Sequence, residues 1–139
     1  MAKIDSFSGE YDFLSNFYSQ EITYDGIKYP TNEHAFQAAK TLDLAKRQAI
    51  AKLATPGQAK RAGRKVLLRS DWEDVKFDVM KEIVILKFIT PELKEKLLAT
   101  KDAELIEGNT WNDRCWGVCD GVGQNNLGRI LMEVRELLK

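Results

Sequence analysis

A chain of 139 residues with 21 Lys+Arg against 21 Asp+Glu, 44% apolar residues and three prolines has the size and composition of one compact domain around a single core. Zero net charge excludes a whole-molecule field that gathers bulk nucleic acid or an anionic membrane, so any anion must be held locally. No apolar run reaches the roughly 20 residues of a membrane span or the length of a signal peptide, so the cytoplasm is the expected compartment and no membrane partner is expected.

In chain order, residues 3–7 (KIDSF) read as a first strand. Residues 12–19 (DFLSNFYS) are rich in aromatics and amides without a period, and read as a loop. Residues 21–29 (EITYDGIKY) alternate apolar side chains on either side of Asp25-Gly26, the composition of a two-residue hairpin turn. Thr31 or Asn32 then caps a helix running to about Leu42. A second helix is expected from Asp43 to Leu53. Thr55-Pro56 supplies the cap and first-position proline of a third, extending through Lys65.

Ser70 and Glu73 have the spacing of a capping box, with Val75, Val79, Ile83 and Leu86 following at helical spacing, which predicts the longest helix here. Thr90-Pro91 restarts a short helix to about Ala99, and residues 103–107 (AELIE) read as a strand. The loop of residues 108–126 (GNTWNDRCWGVCDGVGQNN) has a length that usually carries function. A last helix places Leu127, Ile130, Leu131, Val134, Leu137 and Leu138 on one face. The fold class is α+β: one mainly helical domain, residues 1–139, with a small N-terminal β-hairpin.

His34 is the sole histidine, which excludes a multi-histidine metal centre. Cys115 and Cys119, spaced C-x-x-x-C, fit neither a redox motif nor half a zinc site and read as free thiols. Any catalysis therefore rests on carboxylates, amides and lysine.

Glu33, Gln37 and Lys40 fall at i, i+4 and i+7, on one side of a helix, a spacing that suits a solvated face as well as the wall of a site. Phe13, Phe17, Tyr18, Trp72, Trp111 and Trp116 stand in predicted loops or at a helix start, where they either stack on a flat ligand or anchor the core. In WNDRCWG, an Asx turn would explain Asp113 without chemistry. The glycine-rich turn GVGQNNLG offers backbone N–H groups and a helix dipole to a phosphate, although a helix-start turn alone accounts for its glycines. Lys60, Arg61, Arg64, Lys65 and Arg69 form a basic run that faces either an anionic ligand or solvent.

The blocks GEYDFLSNFY, YPTNEHAFQAAK, TPGQAKRAGR, WNDRCWG and GQNNLGRILMEVR occur in the order found in one family. From about Ile4 onward the chain resembles the NADAR superfamily of YbiA-like proteins. That resemblance implies an N-glycosidase that breaks a ribose C1′–nitrogen bond. The substrate would be a phosphoribosylamino-pyrimidine intermediate of riboflavin synthesis, or ADP-ribosylated guanine. The family's acidic positions fall on Glu33 and Asp113, its tryptophans on Trp72 and Trp116, its helix lysine on Lys40, and its amides on Asn16 and Asn125, with Asn126 as the alternative to Asn125. Phe17, Tyr18, His34, Arg64 and Gly117 lie in the same blocks and are counted with the substrate contacts.

The chemistry of these residues agrees with such a reaction. A leaving nitrogen places positive charge on the ribose, which a fixed carboxylate beside C1′ stabilises. Glu33, near a helix N-terminus, is the first choice for that role and is expected to stay ionised. Asp113 activates water or holds ribose hydroxyls. Trp72 and Trp116 would sandwich the base or position the sugar, and Lys40, Arg64 and the glycine-rich turn would hold phosphate. Glu33, Asp113 and Trp116 are then expected around one cavity. No metal or cofactor is required, and a monomer acting on a nucleotide-like small molecule, or on ADP-ribosylated nucleic acid, is expected. The rival reading is a module that binds ADP-ribose or NAD without cleaving it; a third is nucleic-acid binding through Lys60 to Arg69.

Overall fold

In the computed structural model, which describes residues 2–139, the elements run β1 (Lys3–Ile4), a 3₁₀ segment (Gly9–Leu14), β2 (Ser19–Tyr24), β3 (Ile27–Thr31), α1 (Asn32–Ala39), α2 (Leu44–Ala51), α3 (Pro56–Gly63), α4 (Trp72–Phe88), α5 (Pro91–Ala99), β4 (Glu104–Leu105) and α6 (Asn126–Leu137). The α+β class expected from the sequence is the one observed. By contact the chain forms two units, Asn16–Lys87 and the remainder.

In the Asn16–Lys87 unit, Asp25 and Gly26 both take positive φ, 49° and 82°, the requirement of a type I′ turn. They join β2 and β3 antiparallel, with Tyr24 opposite Ile27 and Ile22 opposite Tyr29. Strand β3 runs straight into α1 because Thr31, still extended, accepts from the His34 N–H and supplies the cap that ends one geometry and starts the other. Asp43 caps α2, and Thr55 caps α3 with Pro56 at its first position. Helix α1 packs against α2, α3 and both hairpin strands. All eight of its residues are buried.

Helix α4 departs from expectation at its start. Its first carbonyl acceptor is Asp71, which takes the Val75 N–H at 3.1 Å, while the Asp71 carboxylate pairs twice with Arg69, at 2.6 and 3.0 Å. The helix thus begins one residue later than a box at Ser70 requires. Glu73 instead accepts from Lys76 at 2.8 Å.

In the other unit β1 and β4 pair in parallel, Lys3 opposite Glu104 and Ile4 opposite Leu105. The first part of the segment read as a loop is a 3₁₀ turn that buries Phe13 and Leu14, and Phe13 meets Phe88 edge-on at 6.4 Å. Helix α6 lies close on β4 because residue 128 is glycine: a Cβ there would stand 2.1 Å from the Leu105 carbonyl oxygen. Leu127, Ile130, Leu131 and Val134 are buried as the stripe predicts, but Leu137 is 62% exposed. The last turn of α6 buries Arg135 instead, whose guanidinium donates to Thr100 Oγ1 and the Ala103 carbonyl at 2.9 Å each. Both cysteines are free thiols. Among the described residues no helix is long and apolar enough to cross a membrane.

His34 fixes α1 from beneath. Its ring is 1% exposed, with Nδ1 at 2.7 Å from Thr31 Oγ1 and Nε2 at 3.0 Å from the Leu53 carbonyl. With Nε2–H donating to Leu53 and the Thr31 hydroxyl donating to Nδ1, the neutral ring satisfies both contacts. Burial pushes its pKa below the ordinary value, against the opposing pull of the Leu53 carbonyl. The stabilisation is therefore complete above the unfolded value of about 6.5 and is lost as pH falls through the folded one. Urea midpoints should decline below about pH 6.5, and His34→Gln should be less stable at neutral pH yet lack that decline; an unchanged acid slope in the variant would exclude His34 as its source.

Candidate active site

The polar stripe of α1 is not a solvated face. Glu33 is 8% and Gln37 5% exposed, and Gln37 Nε2 donates to Glu33 Oε2 at 2.6 Å. Glu33 sits in the first turn of α1, where the helix dipole favours negative charge, and its backbone N–H donates to the Asn16 carbonyl at 3.0 Å. Lys40 follows at the helix end, half-buried, with Nζ 6.0 Å from the centre of the Phe36 ring. Burial pushes the Lys40 ammonium below its ordinary range, Glu33 pulls it back up, and Arg64 and Lys60 push it down again. One carboxylate and three cations thus share one electrostatic neighbourhood.

Of the other predicted residues in this unit, Asn16 is nearly buried, donating to Met80 Sδ and accepting from Asn32 Nδ2, both at 3.5 Å. Tyr18 is half-buried with Lys87 Nζ 5.3 Å from its ring centre, and Phe17 is exposed. Trp72 differs from the expected base platform: it is buried and tilts against Phe36 at 5.1 Å, so its surface supports the ring beneath Lys40. His34, counted with the substrate contacts, has both ring nitrogens engaged inside the fold. Among the described residues the buried polar atoms without partners include Tyr29 Oη, Asn32 Oδ1 and Gln37 Oε1; three such atoms on β3 and α1 mark this region as one where satisfaction is traded for placement.

In the other unit the long loop is stapled by its own side chains. Asn109 Nδ2 donates to the Asp113 carbonyl and to Glu107 Oε2, both at 2.9 Å, and its Oδ1 accepts the Asp113 N–H at 3.1 Å. Asp113 Oδ1 accepts from the Cys115 and Trp116 N–H groups at 3.2 and 2.9 Å, so the Asx turn forms. Asp113 is half-buried, and its Oδ2 has no partner among the described residues. Gly117 is required by closeness: a Cβ there would fall 1.8 Å from Glu107 Oε2. Trp116 beside it is half-buried.

The glycine-rich turn before α6 is not an open phosphate cradle. The N–H groups of Gln124, Asn125, Asn126 and Leu127 donate to the carbonyls of Arg114, Gly117, Cys115 and Trp116, because the loop folds back over the start of the helix. Asn125, left-handed at φ 55°, spends its side chain on the Glu107 N–H and the Leu105 carbonyl, each at 2.9 Å. Asn126 Nδ2 is held by the Cys115 carbonyl and Gln124.

Sequence reasoning placed Gln37 on the stripe without a role, and it missed Glu107 and Asn109. An acidic residue at the end of a short strand, just before a long loop, was the available signal for Glu107. A shallow groove of about 470 Å³ in this unit is lined by residues including Asp102, Glu104, Ile106, Arg129 and Met132; of the predicted site residues Asn125 alone lines it. Among the described residues no three His, Cys, Asp or Glu side chains converge to hold a metal ion.

The NADAR domain family matches residues 5–139. The chain is 44% identical over 137 residues to the N-glycosidase YbiA of Escherichia coli, covering 96% of this chain and 85% of that protein. It is 38% identical over 136 residues to an N-glycosidase of Nostoc punctiforme, covering 93% and 86%. To a riboflavin biosynthesis protein of Vibrio vulnificus it is 43% identical over 132 residues, 91% of this chain but 35% of that one. The solved NMR structure of Escherichia coli YbiA superposes with a TM-score of 0.86 at 43% identity, covering 98% of this chain and 83% of that one.

The part Asp113 plays in the turn is tested by substitution. Asp113→Ala should cost about 1–2 kcal/mol in urea unfolding through loss of the Asx turn. Asp113→Asn, whose amide oxygen still accepts both N–H groups, should cost less than half of that; equal losses would show that the turn does not depend on Oδ1.

Proposed function

The chain belongs to the NADAR domain family, and from that membership we propose that it is an N-glycosidase, a hydrolase cleaving the bond between ribose C1′ and a base nitrogen. The observation that carries this reading is the Glu33 carboxylate, 8% exposed at the N-terminus of α1 and held by Gln37. Breaking the C1′–nitrogen bond sends the electron pair to the leaving base and positive charge to the ribose. A fixed anion in a site of low polarity opposes that charge far more strongly than one in water. Water then adds to C1′, its hydroxyl staying on the sugar and its proton ending on the base nitrogen. Asp113 is the second proposed carboxylate, with an Oδ2 that takes no hydrogen bond among the described residues and so can accept a proton. Lys40, with Arg64 and Lys60 about it, is the proposed phosphate holder.

For the substrate, a phosphoribosylamino-pyrimidine is the first reading, supported by the relative named as a riboflavin biosynthesis protein. ADP-ribosylated guanine is the second, and the Arg64 and Lys60 charges felt by Lys40 suit its additional phosphate. A module that only bound ADP-ribose could use the same carboxylate to hold ribose hydroxyls, so turnover, and not the burial of Glu33, separates the two readings.

Glu33→Gln should lower turnover of both substrate classes by two decades or more, measured as free base released. Undiminished release would remove Glu33 from the chemistry. Tight ADP-ribose binding with both substrates intact after long incubation would replace the hydrolase by the binding module.

A further inference from the structure

We propose that Gln37 is a positioning residue for Glu33, and that Gly63 is the space this arrangement needs. This rests on the role of Glu33 proposed above and extends it to two residues to which the family resemblance assigns no role. Gln37 lies one turn after Glu33 on α1, and its amide nitrogen meets the carboxylate at 2.6 Å. A bond from an amide N–H to a buried anion is short and strong, and it fixes one orientation of the carboxylate. The opposite end of the amide, Oε1, is buried without a partner. Reversing the amide would place two oxygens against each other, so the orphaned oxygen is the cost of aiming the NH₂ group at Glu33.

Gly63 explains why the amide stays in that pose. A Cβ at residue 63 would stand 1.8 Å from Gln37 Oε1, 2.7 Å from its Cδ and 3.0 Å from its Cβ. Helix α3 therefore closes on α1 through a bare backbone, which walls the amide in. Alanine is the better helix former and is used nearby at Ala38, Ala39 and Ala59, all buried. At residue 63 the missing methyl is occupied by Gln37.

The charged or titratable groups around α1 include His34 on the helix and Lys40 at its end, Lys60 on α3 and Arg64 just after it, Arg47 on α2 with its partner Asp25, Tyr24 and Tyr29 on the hairpin, and Arg69, which donates to the Ala39 carbonyl and pairs with Asp71. All of them are common to the wild type and to variants at residue 37. A difference between pH profiles therefore isolates the pair formed by residues 33 and 37.

The first test is Gln37→Glu. Two carboxylates this close share a proton, and one of their two pKa values is strongly raised. At acid pH the protonated partner donates as the amide does, so kcat is held. As pH rises and the shared proton leaves, kcat per folded protein falls at least about 10-fold, a limb that the wild type lacks; a profile parallel to wild type overturns the proposal.

The second test is Gln37→Ala combined with Gly63→Ala, in which the new methyl refills the crossing of the two helices. The thermal midpoint should recover relative to Gln37→Ala alone, while kcat stays about 10- to 100-fold down with KM little changed. Recovery of kcat together with stability would show that Gln37 only fills space. Carbon-13 titration of the Glu33 carboxyl runs beside both tests: its apparent pKa rises when the amide bond is lost, whether or not the protein turns over substrate. Failure of the hydrolase reading would leave that rise intact, whereas its absence would remove the coupling itself.

Discussion

The structure of the Asn16–Lys87 unit depends on burying a helix whose side chains are half polar. Asn32, Glu33, His34 and Gln37 are all less than 9% exposed on the eight-residue α1, and a buried polar group without a partner costs more than most contacts return. Most of their polar atoms are answered, from several elements, while Asn32 Oδ1 and Gln37 Oε1 are left without partners. The end of β3 supplies Thr31, the loop after α2 supplies the Leu53 carbonyl, and the segment before β2 supplies Asn16. Glu33 is answered within the helix by Gln37 and by the dipole of the first turn. The remaining positions of α1 are mostly alanine, so α3 can approach closely enough to shut the polar side chains in.

That constraint links packing to chemistry. A carboxylate on the surface would be screened by water and free to rotate. At a helix N-terminus in a nearly closed setting, with Gln37 donating to it, the Glu33 carboxylate is held in direction, and preorganised charge of that kind is what the proposed reaction would draw on. The same design appears independently in the other unit. Asn109, Asp113 and Asn125 bind backbone groups of their own loop and of β4's end, so a segment with only isolated β-bridges is held by side-chain hydrogen bonds in place of a ladder. One carboxylate oxygen of Asp113 is spent on the turn, and the other is left available for a proton.

Local chemistry was readable wherever a residue acts on its immediate neighbours. Asp25-Gly26 made the hairpin through two positive φ angles, and Thr31 and Thr55 capped the helices assigned to them. The box at Ser70 failed because the Arg69–Asp71 pair lies at the same boundary and took over the start of α4. Leu137 was misplaced because helical spacing reports a shared face but not where the covering elements stop.

By itself, then, the sequence determined the order and type of the helices, the hairpin and the family to which the chain belongs, and it singled out Glu33 and Asp113 as the carboxylates on which the proposed chemistry rests. Tertiary structure alone decided which side of α1 faces inward, why Gly63 is glycine, and that the turn before α6 has already given its N–H groups to the carbonyls of residues 114–117. The physical reason is range. Capping, turn geometry and side-chain period act within about four residues and leave a mark in the chain. Burial and hydrogen-bond satisfaction depend on partners such as Asn16, Leu53 and Gly63, which stand 17 to 26 positions away from the helix residues they serve.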